Sequence, residues 1–224
     1  MSAFNTVLSI IFATLWCGSV YYDVTYQPRL GHDWYIYKLV MLTNLNFVII
    51  TIFAIFALIG VFLGSWSQFK ASLDFSFYCT IFPVAVTTCA LFWGLYAIDP
   101  ELVMPEWAAR LIPSWLNHVT HTLPVLYVIF ELIASRRNPP SHRQSLTMAA
   151  LHVFIYFIII IVVRVLDGYW LYPLLEILSF EAFAVVFVLS ILGYYALIRM
   201  AADLTSLIHG RHVLMKPKRS NKFD

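Results

Sequence analysis

The chain has 224 residues, 61% of them hydrophobic and 12% charged, with mean hydropathy +0.80 and a formal net charge of +2. A soluble domain of this size could not bury that much apolar surface, so the composition predicts an integral membrane protein. The small net charge points away from nucleic acid, and Cys17, Cys79 and Cys89, all in apolar stretches without metal-type spacing, predict free thiols and no disulfide framework.

Six apolar runs are long enough to span a bilayer core, which needs about 20 residues of helix. They cover residues 3–22, 38–64, 77–98, 114–134, 146–166 and 174–200, followed by a basic tail over 201–224. The expected fold is all-α: a polytopic membrane protein of six transmembrane helices in one domain, 1–224, with short loops and no internal repeat. The first run is expected to span and not to be a cleaved signal, because no basic residue precedes it and no clear small-residue cleavage site follows.

Basic residues set the expected orientation. Lys70, Arg136, Arg137, Arg143, Arg199 and the tail residues Arg211, Lys216, Lys218, Arg219 and Lys222 fall on the side of the termini, against Arg29, Lys38, Arg110 and Arg164 on the other. Both termini are therefore expected in the cytoplasm. The acids Asp23, Asp33, Asp99, Glu101, Glu106, Asp167 and Glu176 fall opposite, and Trp34, Trp66, Trp107, Trp115 and Trp170 lie near the expected interfaces. With a basic tail and no large ectodomain, the endoplasmic reticulum or another endomembrane is the expected location, with the plasma membrane as the alternative.

The fourth run is unusual. Its first half, Ser-Trp-Leu-Asn-His-Val-Thr-His-Thr, carries Asn117, His118, Thr120, His121 and Thr122. Polar and ionisable side chains are costly in a bilayer and mark functional sites when they occur there. Asn117, His118 and His121 fall on one helical face at spacings of three and four. Pro124 then leaves the Thr120 carbonyl without its helical donor and predicts a bend beside His121.

The second run enters from the same side and carries Thr43, with Asn46 three residues later on the same face. At 1.5 Å per residue, Thr43 lies about 7.5 Å past Lys38 and His121 about 10.5 Å past Ser114, so the two stand at similar depth. A hydroxyl, two amides and two imidazoles there permit acyl transfer: the imidazole removes the hydroxyl proton, and an amide holds the imidazole or donates to an oxyanion. The bland alternatives are a threonine bonded to its own preceding turn, and Asn46 and Asn117 lining a pocket or bridging helices.

These segments resemble the family of androgen-induced and androgen-dependent six-helix membrane hydrolases, from about Lys38 to Tyr195. The resemblance rests on Lys38 followed by Thr43-Asn44-Leu45-Asn46, on Phe82-Pro83-Val84 and Phe92-Trp93, and on Trp170-Leu171-Tyr172-Pro173. Its most specific part is the run Pro113 to Thr122, which matches Pro-x-Trp-Leu-Asn-His-x-x-His-Thr throughout. The spacing before Thr43 and the fifth run match less well. The resemblance implies a carboxylic ester hydrolase acting without cofactor or metal on fatty acid esters of hydroxy fatty acids. It places the nucleophile at Thr43 and the general base at His121. Asn46, Asn117 and His118 are the substrate or oxyanion candidates. The implied partners are the lipid substrate and the bilayer; the oligomeric state is open.

Lys38 and Arg164 are weighed as cations for the substrate carboxylate against ordinary snorkelling. Glu181 is weighed as an acid orienting His121 against a helix-bridging role, which is preferred. His152, towards the opposite leaflet, is read as structural. Three other functions compete. A haem bundle needs facing histidines on different helices at matched depth. A transporter usually shows an internal repeat. The third is a non-catalytic lipid-binding protein of the same fold.

Overall fold

The computed structural model describes residues 3–28, 34–63, 67–104 and 106–210. They form α1 (Ala3–Tyr26), α2 (Trp34–Val40), α3 (Leu42–Leu63), α4 (Ser67–Ser76), a π-helical stretch (Phe77–Ile81) and α5 (Phe82–Ile98). A 3-10 turn (Pro100–Leu102) leads to α6 (Glu106–Leu111), α7 (Ser114–His121), α8 (Leu123–Ala134) and α9 (His142–Asp167). A second 3-10 turn (Pro173–Ile177) precedes α10 (Phe180–His209). No strand occurs among the described residues. Five helical stretches are long and apolar enough to cross a membrane, and α7 with α8, bent by 42°, makes a sixth. The fold is therefore all-α and multi-pass, as the hydropathy predicts.

The packing follows from which faces are apolar and large. α3, α5 and α8 form the centre, where Phe47, Ile50, Phe53, Phe82, Ala85, Tyr127 and Val128 are buried with Trp16 of α1. The outward faces remain apolar: Phe4 and Ile11 on α1, Phe154 and Ile158 on α9, and Val185 and Leu189 on α10 are exposed. Such a surface suits lipid and not water.

Three interruptions shape the spans, and two of them have a local cause in a proline. Pro83, near the start of α5, has no N–H for the Cys79 carbonyl four residues back. The Tyr194 hydroxyl of α10 donates to that carbonyl instead, at 2.9 Å. The π turn lies just before, closed by the Phe82 N–H on the Phe77 carbonyl. Pro124 plays the same part in the fourth run, where the chain bends at Thr122. The third interruption, at Met41, follows no proline or glycine. It divides the second run, which its hydropathy presents as one helix over 38–64, into α2 and α3.

Other boundaries also differ from the sequence reading. The third span begins at Gln68, so Lys70 lies in α4 and not in a loop. Ser141 and Gln144 form a capping box that starts α9 at His142, and Gly168, at φ 75°, ends it in the left-handed conformation. α10 runs from its Ser179 cap to His209. Tail residues 211–224, Arg29, Asp33 and Trp66 lie outside the described residues, as do the side chains of Trp34 and Trp107.

At the end of the bundle where α8 finishes, Arg137 is buried and forms ion pairs with Glu131 of α8 and with Asp74 of α4 at 3.4 Å. Its guanidinium also lies over the rings of Phe53 and Phe77. Asp74 further accepts from the Asn138 backbone N–H at 3.0 Å. This network ties α4, α8 and the segment after α8 together.

Candidate functional site

Thr43 and His121 meet at the opposite end, where α3 and α7 begin and α5 finishes. The Thr43 hydroxyl lies 3.2 Å from His121 Nε2. The tautomer follows from the other ring nitrogen. His121 Nδ1 is 3.0 Å from the Asn117 backbone carbonyl, which only accepts, so Nδ1 carries the proton. The Thr120 hydroxyl, 3.0 Å from Nδ1, has the Leu116 and Asn117 carbonyls for its own hydrogen and also accepts. Nε2 is left with a lone pair facing the Thr43 hydroxyl. The ring stacks on Phe92 at a centroid distance of 3.6 Å and an interplanar angle of 18°, which fixes its plane.

Most hydroxyls in these helices bond to their own preceding turn: Thr51 to the Phe47 carbonyl, Thr205 to Ala201 and Ser9 to Asn5. Thr43 reaches an imidazole on another helix instead. Thr80 does so too, its hydroxyl 3.0 Å from His152 Nε2, while His152 Nδ1 lies 2.8 Å from the Met148 carbonyl and the ring stacks on Tyr194. The two pairs share a hydrogen-bond pattern and differ in their surroundings.

Around the Thr43 pair, polar atoms have been buried without partners. Asn46, one turn along α3, is 1% exposed, and neither its Nδ2 nor its Oδ1 has a protein partner. Thr88, one turn before Phe92 on α5, is 3% exposed with an unpartnered hydroxyl. Asn117 Oδ1, one turn before His121, is also unpartnered. α3 and α5 run in opposite directions here, so Asn46 and Thr88 both fall one turn deeper than the pair, and Asn117 one turn nearer the end. An unsatisfied buried polar group costs about 1–3 kcal/mol. Three such positions lie within a turn of the one hydroxyl–imidazole pair. The Thr80–His152 pair has no such neighbour and reads as a cross-link between helices.

His118 is exposed and stacks on Trp93 at 5.4 Å. The Trp93 indole N–H donates to the Thr122 hydroxyl at 3.1 Å, which lies 3.1 Å from His118 Nδ1. His118 thus stands beside the pair at its outer rim and does not touch it.

The charged residues weighed for a role at the site make other contacts. Lys38 is paired with both carboxylate oxygens of Asp23 at 2.5 Å, tying α2 to α1. Arg164 donates to the Gly168 carbonyl at the end of α9 and lies over the Trp170 ring. Glu181 is exposed in the first turn of α10, bonded to Ser179. The group that orients His121 is the Asn117 backbone carbonyl. Thr88 carries no signal in the sequence, where α5 reads as an ordinary apolar helix, and the Phe92-Trp93 pair is visible there as a motif but not as a stack on His121.

Among the described residues no group of three His, Cys, Asp or Glu side chains is placed to hold a metal ion. The profile of the FAR-17a/AIG1-like protein family matches residues 5–206. The chain is 36% identical over 95 residues to human androgen-induced gene 1 protein, a match covering 42% of this chain and 40% of that protein. It is 34% identical over 106 residues to mouse androgen-dependent TFPI-regulating protein, covering 47% and 46%. The human counterpart of the latter is 31% identical over 117 residues, covering 52% and 51%. The chain thus spans about half the length of the curated relatives it matches. No solved structure matches it. Six apolar spans, the Pro113–Thr122 run and a profile match over nearly the whole chain agree: this protein belongs to the FAR-17a/AIG1-like family.

Proposed function

We propose that this chain is an intramembrane carboxylic ester hydrolase acting on fatty acid esters of hydroxy fatty acids, with Thr43 as nucleophile and His121 as general base. The observation that carries this reading is the Thr43 hydroxyl 3.2 Å from an imidazole nitrogen left unprotonated by the bond on the other side of the ring. The family resemblance supplies the substrate class. In the first half-reaction His121 Nε2 takes the Thr43 proton as Oγ1 bonds to the ester carbonyl carbon. The carbonyl oxygen becomes an oxyanion, for which the free Nδ2 of Asn46 is the donor. The C–O bond to the hydroxy fatty acid then breaks, and its oxygen receives the proton from Nε2. In the second half, water gives a proton to Nε2, attacks the acyl-threonine carbonyl and releases the fatty acid, and the proton returns to Thr43.

His118 and Asn117 line the route to the pair and contact the polar part of the substrate. In this reading the chain acts as one domain with both termini in the cytosol, in the endoplasmic reticulum or another endomembrane. Labelling with a fluorophosphonate probe in detergent, with the modified residue mapped by mass spectrometry, tests the assignment. Wild type should be labelled at Thr43, and Thr43→Ala and His121→Ala should not be labelled while remaining folded. Folded wild type that stays unlabelled and does not hydrolyse the esters would leave a lipid-binding protein with its ligand at helix α7.

A further inference from the structure

The break at Met41 sits two residues before Thr43, and two tyrosines from elsewhere in the chain close it. Leu42 is the first residue of α3. Its N–H makes no helical bond: at the break the Lys38 carbonyl four residues back accepts from the Met41 N–H at 3.3 Å instead. The Leu42 N–H donates instead to the Tyr172 hydroxyl at 3.2 Å. On the other side of the break, the carbonyl of Val40, the last residue of α2, accepts from the Tyr156 hydroxyl at 3.3 Å. The two hydroxyls lie 2.6 Å apart.

The Val40 carbonyl only accepts, so the Tyr156 hydroxyl donates to it. Either hydroxyl can donate across the 2.6 Å contact between the tyrosines, and Tyr172 Oη receives the Leu42 N–H. The run from Leu42 N–H through Tyr172 and Tyr156 to the Val40 carbonyl therefore bridges the two backbone ends. A tyrosine hydroxyl is protonated at neutral pH, and burial raises that of Tyr172 further. Tyr156 comes from α9 and Tyr172 from the segment before α10. Neither is adjacent in sequence to α3.

We propose that Tyr156 and Tyr172 are positioning residues for the reaction at Thr43: their bridged hydroxyls hold the start of α3 at the angle that aims the Thr43 hydroxyl at His121 Nε2. Thr43 is the second residue of α3, within the turn that the Leu42 N–H bond fixes. A continuous helix through Met41 would give that turn a different direction. The Lys38–Asp23 ion pair holds α2 from the other side, so the break is clamped at both ends. This proposal rests on the hydrolase reading above.

The test is steady-state hydrolysis and fluorophosphonate labelling of the full chain, for wild type, Tyr156→Phe, Tyr172→Phe and the double variant. Each single change removes one whole hydroxyl from the bridge, donor and acceptor together, and interrupts it. The expected result is a fall in kcat and in labelling rate of at least about tenfold, with KM within about twofold, since a slight misplacement of reacting groups lowers rate more than binding. The double variant should be no worse than the worse single one, because the bridge acts as a unit. Leu42→Pro is a second approach that leaves both tyrosines intact: proline is tolerated at the first helical position and deletes that N–H, while also replacing the Leu42 side chain that packs on the core. It should show the same split between kcat and KM. Folded Tyr→Phe variants labelled at the wild-type rate would overturn the positioning role and leave the hydrolase reading standing. Wild type with no label at Thr43 would overturn both.

Discussion

At the scale of single residues, the site separates groups that are satisfied from groups that are waiting. His121 Nδ1 is bonded, and Asn46 is not. Asn46→Leu keeps roughly the same volume and removes an unpartnered buried amide, so the folded state should become more stable, by about 1–2 kcal/mol. The same change should lower kcat by about 10²-fold or more, the usual loss of one oxyanion donor. Thermal melting and ester hydrolysis measured together check this, and full activity in the variant would remove Asn46 from the mechanism. Thr43→Ser should keep part of the activity and Thr43→Ala none, as a hydroxyl nucleophile requires. Thr43, His121 and Asn46 were legible because polar groups stand out against an apolar run and helical spacing places them on facing sides. That the Asn46 amide is unpartnered depends on what α5 and α1 bring near it, and no local pattern carries that.

At the scale of elements, the bend between α7 and α8 places His121, and Pro124 announces it in the sequence. Pro124→Ala returns an N–H to the Thr120 carbonyl and favours a straighter helix. The expected outcome is an equal or higher melting temperature with hydrolysis reduced by about tenfold or more, because the imidazole turns away from Thr43. A variant with unchanged kcat would show that the bend is dispensable. The break at Met41 has no comparable sign. Its stretch, Lys38-Leu-Val-Met-Leu-Thr43, contains no proline or glycine, and the hydroxyls that stabilise it lie well over a hundred residues away for both partners, at Tyr156 and Tyr172. Thr80 and His152 complete the comparison. Thr80→Val should cost about 1 kcal/mol of stability through the lost hydrogen bond and leave Thr43 labelling intact. A loss of labelling in a stable Thr80→Val protein would show that the second pair is more than a cross-link.

At the scale of the whole molecule, the six spans were legible because a bilayer demands long apolar helices, and hydropathy reads that demand directly. The contacts that join the spans were not. Arg137 reads in the sequence as one of a group of loop charges that fix orientation, yet it is 5% exposed, between Asp74 and Glu131. Those partners lie 63 and 6 residues away, and only packing brings α4 beside α8. Arg137→Met strands two buried carboxylates and should destabilise the fold by about 3–5 kcal/mol, seen as a large fall in melting temperature in detergent. The triple variant Arg137→Met/Glu131→Gln/Asp74→Asn removes the charges together and keeps an acceptor for the Asn138 N–H. It should recover most of that loss, since a buried ion network costs its own desolvation and is worth less than the damage done by breaking it. Because the network lies at the end of the bundle away from Thr43, the triple variant should also hydrolyse esters at close to the wild-type rate. A triple variant as unstable as Arg137→Met alone would mean that the guanidinium stacking on Phe53 and Phe77, and not the ion pairs, holds this end together.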